Sequence, residues 1–189
     1  MEKNEFQYRF TVKKKFFTLL GKEFSIIASE GNLVAYARQK AFKLREEITF
    51  YTDKTMKTPL VRIKARNILD FGATFDVIDT TTEEQLGSWR RMGIRSLFRD
   101  EWRAMTPSGQ EYAVLQEDSM IAALFRRFFI PLVPQTFHLK SEEKEIGAFI
   151  QKFDIFRYIL SVDVDTTEIS EKMAWAGAIL LATIDGRQE

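Results

Sequence analysis

Few side chains in this chain could do acid–base chemistry, and they are poorly grouped along it. His138 is the only histidine, and the surrounding Thr136, Phe137 and Leu139 alternate as they would on a strand. A general base needs a positioned substrate and usually a partner, and the local sequence supplies neither. The adjacent acids Glu46–Glu47 and Glu142–Glu143 offer little more, because neighbouring strand residues face opposite sides. The second pair also falls in an expected hairpin turn. Asp76, Asp79, Glu83 and Glu84 are candidates for calcium, but they lack the ligand rhythm and closing glutamate of an EF-hand loop. Asp79 to Thr82 reads as a strand ending in a solvated turn. There is no Gly-rich phosphate loop or HExxH pattern, and the absence of cysteine excludes thiolate chemistry and disulfides. The expected metal and cofactor sets are therefore empty.

The basic residues carry the better functional signal. Arg62, Lys64 and Arg66 alternate with Val61, Ile63 and Ala65, so on a strand the charged heads share one face and the apolar residues the other. Lys40, Lys43 and Arg45 lie in the connection just before, and a barrel could bring the two groups together as an anionic-headgroup surface. Arginine clasps phosphate oxygens through paired donors, whereas lysine supplies a less directional charge. A secondary basic set comprises Arg90, Arg91, Arg95 and Arg99, punctuated by Trp89, Met92, Ile94, Leu97 and Phe98. A third member is Arg126–Arg127 followed by Phe128–Phe129, in a stretch that also reads as a helix-to-strand crossover.

The elements that must position these residues are mostly strands. Short apolar-rich segments are expected at 7–15, 23–28, 33–39, 47–52, 59–65, 73–78, 86–92, 101–105 and 111–116, separated by turn formers such as Glu30–Gly31–Asn32 and Pro107–Ser108–Gly109. A helical stripe of Met120, Ile121, Leu124 and Phe128 interrupts them, giving a middle helix or crossover over 118–130 that Pro131 stops. Three more strands fit 135–140, 145–152 and 156–162. The chain closes with a helix expected over 168–184, with Asp165 as its cap, Glu168 three residues on and Gly186 after its last apolar residue.

That helix contains ten consecutive apolar or glycine residues, 173–182, too few to cross a bilayer and with no polar side to expose. A flat sheet would leave one side of it wet. A closed antiparallel barrel of about twelve strands wrapped around it buries every side and removes the sheet edges. Ala174, Ala176, Gly177, Ala178 and Ala182 permit close strand approach, while Trp175, Ile179 and Leu180 fill wider spaces. The 189 residues suit a single domain spanning 1–189, with no linker or repeat.

Residues 31–73 (GNLVAYARQKAFKLREEITFYTDKTMKTPLVRIKARNILDFGA), GSWRR at 87–91, SLFRDEW at 96–102 and the terminal WAGAILLATIDGR resemble the LURP-one-related proteins within the tubby C-terminal-like superfamily. The likeness runs over almost the whole chain. It implies a twelve-stranded barrel threaded by a hydrophobic C-terminal helix. The superfamily also includes phosphoinositide-binding tubby proteins and phospholipid scramblases.

Charge limits the partners. With 28 Lys plus Arg against 27 Asp plus Glu, the formal charge is +1, so nucleic acid is not an expected partner and any basic site must come from local clustering. The N-terminal stretch lacks a secretory apolar run and no segment reaches the length of a membrane span. The expectation is a cytoplasmic, non-enzymatic binding or scaffold protein, peripheral at the inner membrane surface and selecting anionic phospholipid headgroups through barrel Lys and Arg. The alternatives are a protein–protein scaffold without a lipid ligand, and an enzyme with a cavity beside the central helix.

Overall fold

A computed structural model of the chain describes residues 6–15, 22–39, 47–66, 72–92, 101–118, 135–152 and 157–184. Its strands are β1 (Tyr8–Lys15), β2 (Lys22–Ala28), β3 (Leu33–Gln39), β4 (Ile48–Tyr51), β5 (Pro59–Ala65), β6 (Thr74–Asp79), β7 (Gln85–Arg91), β8 (Glu101–Met105), β9 (Glu111–Glu117), β10 (Thr136–Ser141), β11 (Lys144–Lys152) and β12 (Arg157–Val164). The helix that follows, α1, spans Glu171–Ile184. Each strand pairs antiparallel with its sequence neighbour, and β1 closes on β12. Closure leaves no unpaired edge among these strands, and the period-two alternation then sends one set of side chains inward and the other outward.

The inward set forms one apolar core with the helix. Phe10, Val12, Phe24, Ile26, Val61, Ile63, Val77, Trp89, Leu115, Phe137, Leu139, Phe149 and Leu160 are buried together with Met173 to Leu181 of α1. The helix touches opposite walls. Trp89 on β7 donates its indole N–H to the Met173 carbonyl at 2.9 Å, and Trp175 donates to the Tyr8 hydroxyl on β1 at 3.2 Å. The Trp89 ring also lies flush against Gly177, where an added Cβ would come within 2.8 Å of it. α1 is thus in the lumen, and all of its faces meet strand side chains, as its unbroken apolar run demands.

The helix begins later than expected, because Asp165 acts elsewhere. Its carboxylate accepts the Thr167 N–H at 3.0 Å and the Thr167 hydroxyl at 2.6 Å, while its carbonyl accepts the N–H groups of Glu168 and Ile169. This Asx turn satisfies the aspartate before any helix starts. Ser170 is the cap: its hydroxyl accepts the Met173 N–H at 3.3 Å and its carbonyl the Ala174 N–H. Gly186 lies outside the described residues, as do 119–130 of the expected middle helix. Most strand limits fall within a residue or two of expectation, with β12 running on to Val164 because Val164 pairs with both Tyr8 and Gly147.

The two ends of the barrel differ. At one end short connections join β2 to β3, β4 to β5, β6 to β7, β8 to β9 and β10 to β11, and α1 enters there. At the other, where α1 finishes, Lys14 Nζ donates to the Ala182 carbonyl at 2.9 Å and Lys22 Nζ to the Thr183 carbonyl at 3.5 Å. The last turn of the helix contains no basic residue of its own. Its unpaired carbonyls and negative dipole end are met by lysines from β1 and β2 instead.

Candidate anion-binding surface

On the outer face of β5 the expected alternation is present, with Val61 and Ile63 buried and Arg62, Lys64 and Arg66 outward. The acids of neighbouring elements meet two of the three. Arg62 pairs with Glu83 of the β6–β7 turn and, at 3.8 Å, with Glu47. Arg66 reaches Asp76 on β6 at 2.5 Å, a hydrogen bond that raises its pKa. Lys64 stands opposite Asp76 in register, but the Asp76 carboxylate also accepts from Gln85 at 3.0 Å. Lys64 is exposed and makes no ion pair among the described residues. Lys40, Lys43 and Arg45 lie outside the described residues; the flanking strand ends, Gln39 and Ile48, stand at the end of the barrel where α1 finishes.

Nor do Arg90 and Arg91 form one patch. Arg90 is exposed on the outer face, between Thr74 and Arg103 in register. Arg91 follows buried Trp89 by two residues and takes the lumen side. Their neighbour Arg103 is matched twice, by Glu101 at 3.0 Å and Glu111 at 2.6 Å. Arg95, Arg99, Arg126 and Arg127 lie outside the described residues. Three of the four candidate calcium acids are engaged internally as well: Asp76 by Arg66, Glu83 by Arg62, and Asp79 by Lys172 of α1, which donates to it at 2.5 Å and holds that carboxyl below its ordinary range.

His138 has acquired partners that its own strand did not reveal. It faces outward on β10, with Nδ1 2.8 Å from Glu145 on β11 and Nε2 3.5 Å from Asp118. Both ring nitrogens thus face carboxylates. This geometry anchors the imidazole on the outer wall, remote from the core beside α1 where the enzyme alternative would need it. A shallow groove of about 650 Å³ runs near it along β8–β10, lined by Glu101, Arg103, Tyr112, Gln116, Lys140 and Glu142.

The sequence reading passed over a different basic set. In the run Lys13–Lys14–Lys15, alternation sends Lys14 into the lumen and Lys13 and Lys15 outward. Lys14 is almost fully buried, its ammonium satisfied by Ala182 and 5.6 Å from the Tyr158 ring centre. Lys13 stands beside Ile159 of β12, and Ile159 beside Lys152 of β11, so the three share one cross-strand row. Lys13, Lys15 and Lys152 have no acid within ion-pair distance among the described residues. The signal was available in principle, since the same alternation that buries Phe10 and Val12 sorts the three lysines.

The chain matches no protein-family model, no curated protein and no solved structure. Among the described residues no helix is long and apolar enough to cross a membrane.

Proposed function

We propose that this chain is a non-enzymatic binding module for anionic phospholipid headgroups. One observation carries the reading: cations on part of the outer wall have no acidic partner among the described residues, whereas Arg62, Arg66 and Arg103 are each matched by carboxylates. A matched cation has little field left for a ligand; an unmatched one near an acidic membrane contributes on the order of 1 kcal/mol. The resemblance to LURP-one-related and tubby-type proteins adds support from the sequence side, and a cytoplasmic, membrane-peripheral location follows as part of the same proposal. Against the alternative of an enzyme with a cavity beside the central helix stand the apolar side chains of α1 and the strands that are buried together in the lumen.

Flotation with neutral, phosphatidylserine-containing and phosphoinositide-containing vesicles tests the proposal. Salt-sensitive association with the acidic vesicles is expected. Absence of association with every acidic vesicle overturns it. A protein scaffold would then lead, and the groove along β8–β10, with Tyr112 and Val114 between its charges, is the observation favouring that second reading.

A further inference from the structure

We propose that the outer face of β11, β12 and β1 is the wall that lies against an acidic bilayer, with Lys13, Lys15 and Lys152 on headgroups and Ile150 and Ile159 at the interface. The assignment rests on the headgroup reading above and gives it a place and a mode of contact.

Strand alternation fixes which side chains this wall presents. Phe10, Val12 and Lys14 go inward on β1, leaving Thr11, Lys13 and Lys15 outward. Tyr158, Leu160 and Val162 go inward on β12, leaving Ile159 and Ser161. Phe149 goes inward on β11, leaving Ile150 and Lys152. Register then sets neighbours. Lys13, Ile159 and Lys152 form one row, and Thr11, Ser161 and Ile150 the next. Ile150 and Ile159 are diagonal neighbours, about 7 Å apart on such a ladder. With strands about 4.8 Å apart, the backbones of Lys13 and Lys152 are separated by roughly 10 Å, and Lys15 stands about 7 Å along from Lys13.

Two features distinguish this wall from ordinary solvated surface. Its acids are already occupied by arginines: Glu23, opposite Lys15, is held by Arg38 at 3.1 Å, and Asp163 is held by Arg9 at 2.5 Å. Among the described residues the lysines are therefore left without an acid, and their charge is open to a ligand. Next, Ile150 is 38% exposed, an unusual position for a large aliphatic side chain here, and it sits within the lysine cluster. An array of long, flexible ammonium groups around protruding aliphatic carbons suits a bilayer interface. There the stems lie along apolar surface while the heads reach phosphate. A single soluble phosphate would be better served by convergent arginines, and a nucleic acid by outward aromatics for stacking.

The test is flotation of the full chain with vesicles of phosphatidylcholine alone and with about 30 mol% phosphatidylserine or a few mol% phosphoinositide, at low and physiological salt. Lys13→Gln/Lys15→Gln/Lys152→Gln should lower partitioning on the order of 100-fold at low salt. Ile150→Ser should lower it several-fold, with the loss persisting when salt screens the lysines. Arg62→Gln/Lys64→Gln/Arg66→Gln removes two matched cations and one lysine unpaired among the described residues, so its loss should stay within about tenfold of the parent chain. Parent-like binding by a folded lysine variant overturns the assignment while leaving the headgroup reading intact; absence of binding by the parent chain overturns both. Equal loss in the two triple variants points to unspecific charge and also overturns the assignment. Should the triple lysine variant fail to fold, Lys152→Glu alone, at an exposed strand end, decides through the same flotation. Tight capture of soluble inositol phosphate without vesicle association would replace the bilayer by a soluble anion.

Discussion

Two stretches of the outer wall use the same alternating basic pattern and end in different electrostatic states. On β5, Arg62 and Arg66 face acids from β6, from the following turn and from Glu47. On β1 and β11, Lys13, Lys15 and Lys152 face isoleucine, serine and a glutamate that an arginine already holds. The strands differ little in themselves. What differs is the neighbour that register places beside each cation, and neighbours on other strands are invisible to a pattern read along one. A basic strand is a candidate ligand surface only after its cross-strand partners are known.

Both walls hang on the same filled lumen, so the largest effect would remove them together. Ala178→Glu forces a carboxylate into the fully buried centre of α1. Its cost, several kcal/mol, should abolish cooperative unfolding and soluble yield; near-parent stability would break the threaded-barrel description. The next effect separates the two faces of one strand. Lys14→Met should cost about 2 kcal/mol in chemical denaturation, since it strips the buried Ala182 carbonyl of a charged donor, whereas Lys13→Met or Lys15→Met should stay within about 0.5 kcal/mol. Equal costs would erase the distinction between inward and outward lysines.

A smaller effect lies at the end where the helix enters. The Asp79 carboxyl is held low by Lys172, and the Asp165 carboxyl by the Thr167 hydroxyl and N–H. Between the unfolded and folded values the unfolded chain binds more protons, so stability rises with pH across that interval. Their contribution is complete above the ordinary aspartate range near 4 and is lost as pH falls through the depressed folded values. Thermal melts should be level from pH 7 to about 5 with respect to these groups and fall below about 4, and Asp79→Asn should flatten that fall by a few degrees. An unchanged acid profile in Asp79→Asn would remove the Lys172 anchor from the account. The smallest stability effect sharpens the comparison of walls directly. Asp76→Asn should change stability by less than about 1 kcal/mol yet raise acidic-vesicle binding, because it releases Arg66. No gain in binding would mean that matching by acids is not what separates the two walls.

Much of the architecture was legible along the chain. The wholly apolar run through α1 demands a lumen, strand alternation marks Phe10, Val12, Val61 and Ile63 as interior, and turn formers mark most strand limits. The helix start was misread because Asp165 and Ser170 are both competent caps, and only the folded backbone shows that Thr167 takes Asp165 into a separate turn. The candidate surface was less legible. Arg62 and Arg66 carry the right residue types in the right alternation, but their acids come from as far as 21 residues away in sequence. His138 likewise met Glu145 only when β10 paired with β11.

The sequence by itself determined which faces are apolar, because burial follows from side-chain type and a period of two or of continuous hydrophobicity. It also determined that a helix with no polar side must be enclosed. Tertiary structure alone decided which charges are neutralised. Coulomb attraction acts over a few ångströms in space, and those distances are set by cross-strand register and barrel closure. For that reason Lys14, between two outward lysines of identical chemistry, became the cap of a helix 168 residues away, while Lys13 and Lys15 remained on the outer face.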